Sequence, residues 1–194
     1  FVQAIATAAG DARVEPAFFS FLTQVGVPQI GLSWTCSQGQ IRAQLTQRRY
    51  LPLGSTASSD QRWQIPICVS SGQGAADHCT LLSAPEQEWH FSEASCPDFL
   101  MPNAGGAGYY RFTLADDQRQ ALLSNLQNLS LAESFVLIDN ISAAFRAGTL
   151  NVNQYLESIP LIAAHPSREV ATLPLTDNEA WTVMPAGTLW WFAE

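Results

Sequence analysis

The period of the hydrophobic pattern changes once along this chain, close to Thr113. Before that point, apolar residues alternate with polar or small ones in short runs, which is typical of half-buried strands. After it, apolar residues recur three and four positions apart, as on one face of a helix. Short strands at a spacing of about 8–12 residues predict a sandwich. We therefore expect an immunoglobulin-like, antiparallel β-sandwich followed by an α-helical segment, as two small domains of all-β and all-α class.

Seven runs carry the strand pattern, and turn or loop residues separate them. The predicted strands cover residues 29–34, 41–47, 63–69, 78–82, 88–91, 101–103 and 109–114. A tight turn at residues 37–40 joins the first two into a hairpin, and the last two are expected to pair with each other. Pro66 has no backbone N–H to donate, so the third strand should lie at a sheet edge or carry a bulge.

Helix signals lie at both ends of the chain. Residues 1–24 predict two short helices that end near Gly26. Ser130 followed by Glu133 is a capping-box pattern, in which each side chain bonds the other residue's backbone N–H. The helix that begins there should end before Gly148, which suits the left-handed conformation after a helix C-terminus.

A further helix is expected after Asn153, which is predicted to be its N-cap. Pro160 lies inside that helix and predicts a kink or an early stop. The tail from residue 173 onward ends in the aromatic run 189–192. An exposed run of this kind would be adhesive, so we expect it to dock on the body of the protein or on a partner domain.

The charge and hydrophobicity of the chain limit the kinds of molecule that it is expected to bind. The chain has 194 residues, a net charge of −8 and no lysine, and 47% of its residues are hydrophobic. Clustered cations are needed to bind phosphate groups, so nucleic acid and anionic membranes are poor partners. Apolar runs are shorter than the roughly 20 residues of a membrane span, so no span is predicted.

The four cysteines, Cys36, Cys68, Cys79 and Cys96, do not form a Cys-x-x-Cys pair. An even number at loose spacing favours disulfides over a zinc site. Disulfides favour an oxidising compartment, so a periplasmic or secreted location is expected. Three connectivities remain open. Cys68–Cys79 with Cys36–Cys96 is favoured because the residues between Cys68 and Cys79 look like a hairpin loop.

No catalytic or metal-binding residues are predicted for this chain. His78, Cys79, His90 and Cys96 are metal-binding types, but they lack the close spacing of zinc ligands. The glycines at 105–108 do not follow a strand in the Gly-x-Gly-x-x-Gly pattern, so they predict a turn rather than a phosphate site. His-Glu-x-x-His, the helical zinc motif of many metallopeptidases, is absent from the sequence.

A series of short motifs resembles one family of enzymes. In chain order they are Gln-x-Gly-x-Pro, a Gln followed by Arg and Tyr, Trp-x-x-Pro, and an Asn followed by Gly-Tyr-Tyr-Arg. The residues concerned are Gln24, Gly26, Pro28, Gln47, Trp63, Pro66, Asn103, Gly108, Tyr109, Tyr110 and Arg111. Their order and spacing are similar to the part of aminopeptidase N-like zinc metallopeptidases (gluzincin aminopeptidases) that follows the catalytic domain. Asn140 stands where that family more often has Asp.

The resemblance implies a division of the chain into three parts. Residues 1–26 would be the helical end of a preceding catalytic domain, residues 27–114 the β-sandwich, and residues 115–194 the first helices of a C-terminal α-helical domain. Phe1 is not preceded by a starting Met, so the chain is expected to begin within a longer protein.

The resemblance also implies a role. The parent enzyme would remove N-terminal amino acids from peptides by means of a zinc-activated water, with zinc and peptide held by the missing catalytic domain. This chain would hold no cofactor, brace its own catalytic domain and help to wall the peptide cavity, and would be inactive alone. Two alternatives remain: a stand-alone extracellular immunoglobulin-like binding module, and the scaffold part of a catalytically dead homologue.

Overall fold

The computed structural model describes residues 1–72, 74, 76–167, 170, 180–182 and 191–193. The described helices are α1 (Val2–Ala9), α2 (Val14–Leu22), α3 (Asp116–Ser124), α4 (Leu131–Arg146) and α5 (Val152–Ala163). The described strands are β1 (Pro28–Ser37), β2 (Gln40–Arg49), β3 (Ile65–Val69), β4 (His78–Leu82), β5 (Glu86–Ser92), β6 (Arg111–Leu114), β7 (Ala180–Thr182) and β8 (Trp191–Ala193). The two predicted N-terminal helices and the strand-then-helix order are thus present.

The strands form a mixed, sandwich-like arrangement. One sheet has the order β5-β2-β1-β6, and β3 pairs with β4 in a second sheet. β1 and β2 form the predicted antiparallel hairpin, with inward and outward residues alternating along β2. Because β3 pairs only with β4 among the described residues, Pro66 lies in an edge strand, as predicted.

The last predicted strand pair is not formed. β6 pairs in parallel with β1, so the arrangement departs from the all-antiparallel immunoglobulin-like sandwich. Met101 makes only an isolated bridge with Ser70, and residues 104–106 form a short 3-10 helix. β6 takes its backbone partner from β1 and a side-chain partner from α4, where Asn140 Oδ1 accepts a hydrogen bond from Phe112 N at 2.7 Å. With these partners, Phe112 N is not available to pair with residues 101–103.

The helical segment packs on the sheets through one shared core. The buried apolar residues of this core come from both sheets and from α3, α4 and α5. Prominent members are Ile30, Leu32, Leu45, Trp63, Ile65, Ile67, Val69, Leu122, Leu137, Ile138, Ile141 and Ile162. The change of hydrophobic period near Thr113 therefore marks the point where the chain passes from the strands on one side of this core to the helices on the other side.

Glu133 joins three segments at the start of α4. Its carboxylate accepts hydrogen bonds from Ser70 Oγ (3.0 Å), Gly105 N (3.0 Å), Ser130 N (2.9 Å) and Ser130 Oγ (2.7 Å). Glu133 N donates in return to Ser130 Oγ, which completes the predicted capping box. Burial alone would raise the pKa of Glu133, but these four donors outweigh it and lower the pKa below its usual value.

The N-cap predicted for α5 is wrong by two residues. Asn151, not Asn153, accepts a hydrogen bond from Gln154 N, and the Gln154 side chain accepts from Asn151 N. Asn151 has a Gln three positions on that can reciprocate, whereas Asn153 has Leu156 there. The helix continues past Pro160 to Ala163, so no early stop occurs.

Two disulfides connect the sandwich in the favoured pairing. Cys36 bonds Cys96, and Cys68 bonds Cys79 directly across the β3–β4 ladder. These pairs fit an oxidising location, extracellular or periplasmic. The prediction for the aromatic tail lies largely outside the described residues. Of that tail the structure describes only the backbone of β7 and β8, which pair antiparallel.

Candidate docking surface

An apolar groove runs along α2. It has a volume of about 540 Å³ and is walled by α2, by Pro66 and Cys68 of β3, and by the loop 103–110. We call this the α2 groove and define it by its lining residues, which besides Asp77 are Phe18, Phe21, Leu22, Pro66, Cys68, Asn103, Ala104, Ala107, Gly108, Tyr109 and Tyr110. Asp77 is the one charged side chain among its lining residues.

Helix α2 leaves most of its apolar surface uncovered. Of its residues only Ala17 is buried, while Leu22 is 63% exposed and Phe18 and Phe19 are also exposed. Tyr109, across the groove, is 67% exposed. Its ring meets the Phe21 ring edge to face, with centroids 6.3 Å apart. Contiguous exposed apolar side chains of this kind mark an interaction surface.

The C-terminal end of α2 is fastened to the segment before β3. Gln24 Nε2 donates hydrogen bonds to Ser20 O (2.9 Å) and Arg62 O (2.6 Å), and Ser20 Oγ accepts one from Gln64 N (3.0 Å). Gly26 follows at φ 113°, a conformation that suits only glycine, and a Cβ there would lie 2.5 Å from Arg49 Nε. Pro28 then begins β1.

Gln47 and Trp63 hydrogen-bond each other in the core just before β3. Gln47 Oε1 accepts from Trp63 N (2.9 Å), and Gln47 Nε2 donates to Trp63 O (3.0 Å) and Ala84 O (3.0 Å). Both side chains are buried. Both the oxygen and the nitrogen of the buried Gln47 amide therefore have hydrogen-bond partners, which fixes the position of the chain just before β3. Pro66, which lines the groove, follows in that strand.

The loop on the other side of the groove is closed by Asn103. Its side chain donates to Gly108 O (2.9 Å) and accepts from Gly108 N (2.7 Å). Gly108 leaves no room for a Cβ, which would clash with the Tyr110 ring. The Tyr110 hydroxyl donates to Pro102 O at 2.8 Å, and burial raises the pKa of that hydroxyl. Tyr110 therefore faces inward and its neighbour Tyr109 faces outward.

Arg111 lies away from the groove. Its guanidinium pairs with Asp139 of α4 and sits 5.9 Å from the centroid of the Tyr50 ring. The Tyr50 hydroxyl donates to Ala143 O of the same helix at 3.0 Å. These contacts hold the sandwich against α4.

The structure thus brings together five of the motif residues at the groove: Pro66, Asn103, Gly108, Tyr109 and Tyr110. Gln24 bonds the end of α2 to the segment before β3, and Gln47 and Trp63 bond each other in that segment. Gly26, Pro28 and Arg111 lie outside the groove lining. The sequence prediction did not include Phe18 and Leu22 among the site residues. Their four-residue spacing on a helix was the available signal, but the same spacing also describes a helix buried in a core.

The described residues that line the groove are mostly apolar, with Asp77 as the one charged side chain among them. Within the described ranges, no three His, Cys, Asp or Glu residues come together as a metal-binding group. None of the helices in the described part of the chain is both long and apolar enough to cross a membrane.

Comparison with known proteins finds distant relatives. The chain is 24% identical to a puromycin-sensitive aminopeptidase of Caenorhabditis elegans over 170 residues, a match that covers 86% of this chain. It is 26% identical over 140 residues, 72% of this chain, to tricorn protease-interacting factor F2 of Thermoplasma volcanium. The matches span only 17% and 16% of those two proteins. No protein-family model matches. The chain is therefore distantly similar to one part of aminopeptidase-type proteins.

Proposed function

We propose that this chain is a non-catalytic segment of a zinc-dependent aminopeptidase, and that the part of its parent's catalytic domain that lies before residue 1, called the preceding domain below, docks on the α2 groove. The observation that carries the proposal is the coincidence of two features. Five of the motif residues that resemble the family line the groove, and the same groove is rimmed by the exposed side chains of Leu22 and Tyr109.

In the parent, the zinc site and the general base would lie in the preceding domain, and removal of N-terminal amino acids would take place there. This chain would take part by holding that domain in place and by helping to wall the cavity that admits peptides. The division into residues 1–26, 27–114 and 115–194 is part of the proposal. So is a periplasmic or secreted location, which the two disulfides support.

Docking through the α2 groove is tested by replacing Leu22 and Tyr109 together with serine. Burying such a side chain at an interface contributes about 1.5–3 kcal/mol. Because two such side chains are replaced, the double variant should bind the preceding domain of the parent at least about a hundredfold more weakly than the wild-type chain. The measurement is titration calorimetry with the two parts purified separately.

Leu156→Ser is the matched control, since Leu156 is 54% exposed on α5 and lies outside the groove. It should leave the affinity unchanged. Equal affinity of the double variant and the control would contradict docking at the groove. If the wild-type chain shows no binding to the preceding domain but binds an unrelated extracellular protein, that result would favour the stand-alone module instead.

A further inference from the structure

A second cavity, next to the α2 groove, lies where the N-terminal part of α2 meets the β3–β4 ladder. Its volume is about 240 Å³. We call it the β4 cavity and define it by Val14 and Ala17 of α2 and by Pro66, Cys79 and Leu81 of the ladder. The proposed docking function makes no use of this cavity.

The Cys68–Cys79 disulfide lies between the β4 cavity and the α2 groove. Cys79 lines the cavity, Cys68 lines the groove, and the two residues pair directly across the ladder. Cys79 is exposed, whereas Cys68 is half-buried. A small molecule that enters the β4 cavity therefore meets the Cys79 end of the bond.

The disulfide lies on the outward face of β3, away from the core. Ile65, Ile67 and Val69 alternate along the strand with Pro66 and Cys68, and these three apolar residues are fully buried on the inward face. Opening the disulfide removes a cross-link but leaves the buried side of the strand in place. The folded protein can therefore accommodate the opened bond.

The two disulfides differ in the charges near their exposed cysteines. The charged residues that line the β4 cavity, Asp11 and Arg13, pair with each other at 2.7 Å, so their charges offset each other. Cys96 is also exposed, but Glu93 and Asp98 line the cavity beside it, and no Arg is found among the described residues of that lining. The nucleophile in thiol–disulfide exchange is an anionic thiolate, which carboxylates repel. Attack is therefore favoured in the β4 cavity.

We propose that Cys79 is a site of thiol–disulfide exchange, at which a small dithiol enters the β4 cavity and opens the Cys68–Cys79 bond. The thiolate of the reductant attacks Cys79 Sγ and forms a new S–S bond, while the old bond breaks and Cys68 leaves as a thiolate. The second thiol of the reductant then attacks the reductant's own sulfur and releases Cys79. Two electrons pass from the dithiol to the protein, and the two protons of the dithiol end on Cys68 and Cys79.

The size of the cavity limits the reagent. It is smaller than the range of about 300–1,000 Å³ typical for drug-sized ligands, so a compact thiol is the class of molecule that fits. A monothiol takes only the first step, which leaves a mixed disulfide on Cys79 and a free thiol on Cys68. That thiol then lies in the lining of the α2 groove.

The test is reduction of the folded 194-residue chain by dithiothreitol. Free thiols are trapped with iodoacetamide at intervals, and mass spectrometry of peptides locates them. We expect Cys68 and Cys79 to be alkylated at least about tenfold faster than Cys36 and Cys96. Equal or slower alkylation of Cys68 and Cys79 would overturn the proposal.

A monothiol identifies the sulfur that is attacked. With 2-mercaptoethanol in place of dithiothreitol, the mixed disulfide should form on Cys79, and iodoacetamide should label Cys68. The reverse pattern, with the reagent attached to Cys68, would contradict entry through the β4 cavity.

A variant tests the cavity itself. Val14→Trp places a large side chain beside Cys79 and should slow opening of that disulfide about tenfold or more, without a change at the other disulfide. Val25→Trp is the matched control, since Val25 is 73% exposed and does not line the cavity, and it should leave both rates unchanged. An unchanged rate at Cys79 in a folded Val14→Trp protein would overturn the proposal. If that variant does not fold, the order of reduction in the wild-type chain decides it.

Discussion

Replacing both Cys36 and Cys96 with alanine should lower the free energy of unfolding by about 4 kcal/mol. The bond closes a chain separation of 60 residues, from β1 to the loop after β5. Without it the unfolded chain gains the conformations that this cross-link forbids. Cys96 is exposed and Cys36 is only half-buried, so the alanines leave no large cavity. Urea unfolding of the purified variant measures the change.

The second disulfide is the matched control for loop length. Cys68 and Cys79 are separated by 11 residues, so replacing both with alanine should cost about 3 kcal/mol. A larger loss from the Cys68 and Cys79 pair than from the Cys36 and Cys96 pair would contradict the assignment of stabilisation to loop closure.

Replacing Glu133 with alanine should lower the free energy of unfolding by about 3 kcal/mol or more. The substitution removes the acceptor of four hydrogen bonds, and Gly105 N and the Ser70 hydroxyl then have no partner in its place. It also breaks the capping box of α4. Urea unfolding at neutral pH measures the loss. Asp117→Asn, at an exposed acid in the first turn of α3, should change stability by less than about 1 kcal/mol.

Protonation of the Glu133 carboxylate should lower the free energy of unfolding as the pH falls. The pKa of Glu133 is lower in the folded protein than its ordinary value of 4.5. Its contribution is therefore fully present above pH 4.5 and is lost as the pH falls through the lower folded pKa. Glu133→Gln should flatten the stability curve in that acid range relative to wild type. A variant curve as steep as that of the wild type would contradict a role for Glu133 in acid unfolding.

The sequence predicted those parts of the fold that depend on interactions between residues close together along the chain. The Ser130–Glu133 capping box, the β1–β2 hairpin and the end of α4 before Gly148 each depend on residues a few positions apart. The pairing of β6 with β1 could not be predicted in this way. β6 has only four residues, and its partners, Ile30 of β1 and Asn140 of α4, lie far from it along the chain.

The candidate surfaces were predicted less completely than the fold. Asn103, Gly108 and Pro66 were singled out from the sequence, and the structure places them around one groove. The exposure of Leu22 could not be foreseen, because helical spacing does not tell a buried face from an uncovered one.

The preceding domain that the proposed function assigns to the parent protein, expressed without these 194 residues, would give a direct assay for the proposed bracing role. Its hydrolysis of an aminoacyl-nitroanilide and its thermal stability are measured before and after this chain is added. We expect no turnover by this chain with zinc above a metal-only control, and a higher rate and stability for the preceding domain once the chain is bound. Turnover by this chain alone, or a preceding domain that the chain leaves unchanged, would contradict its role as a non-catalytic brace.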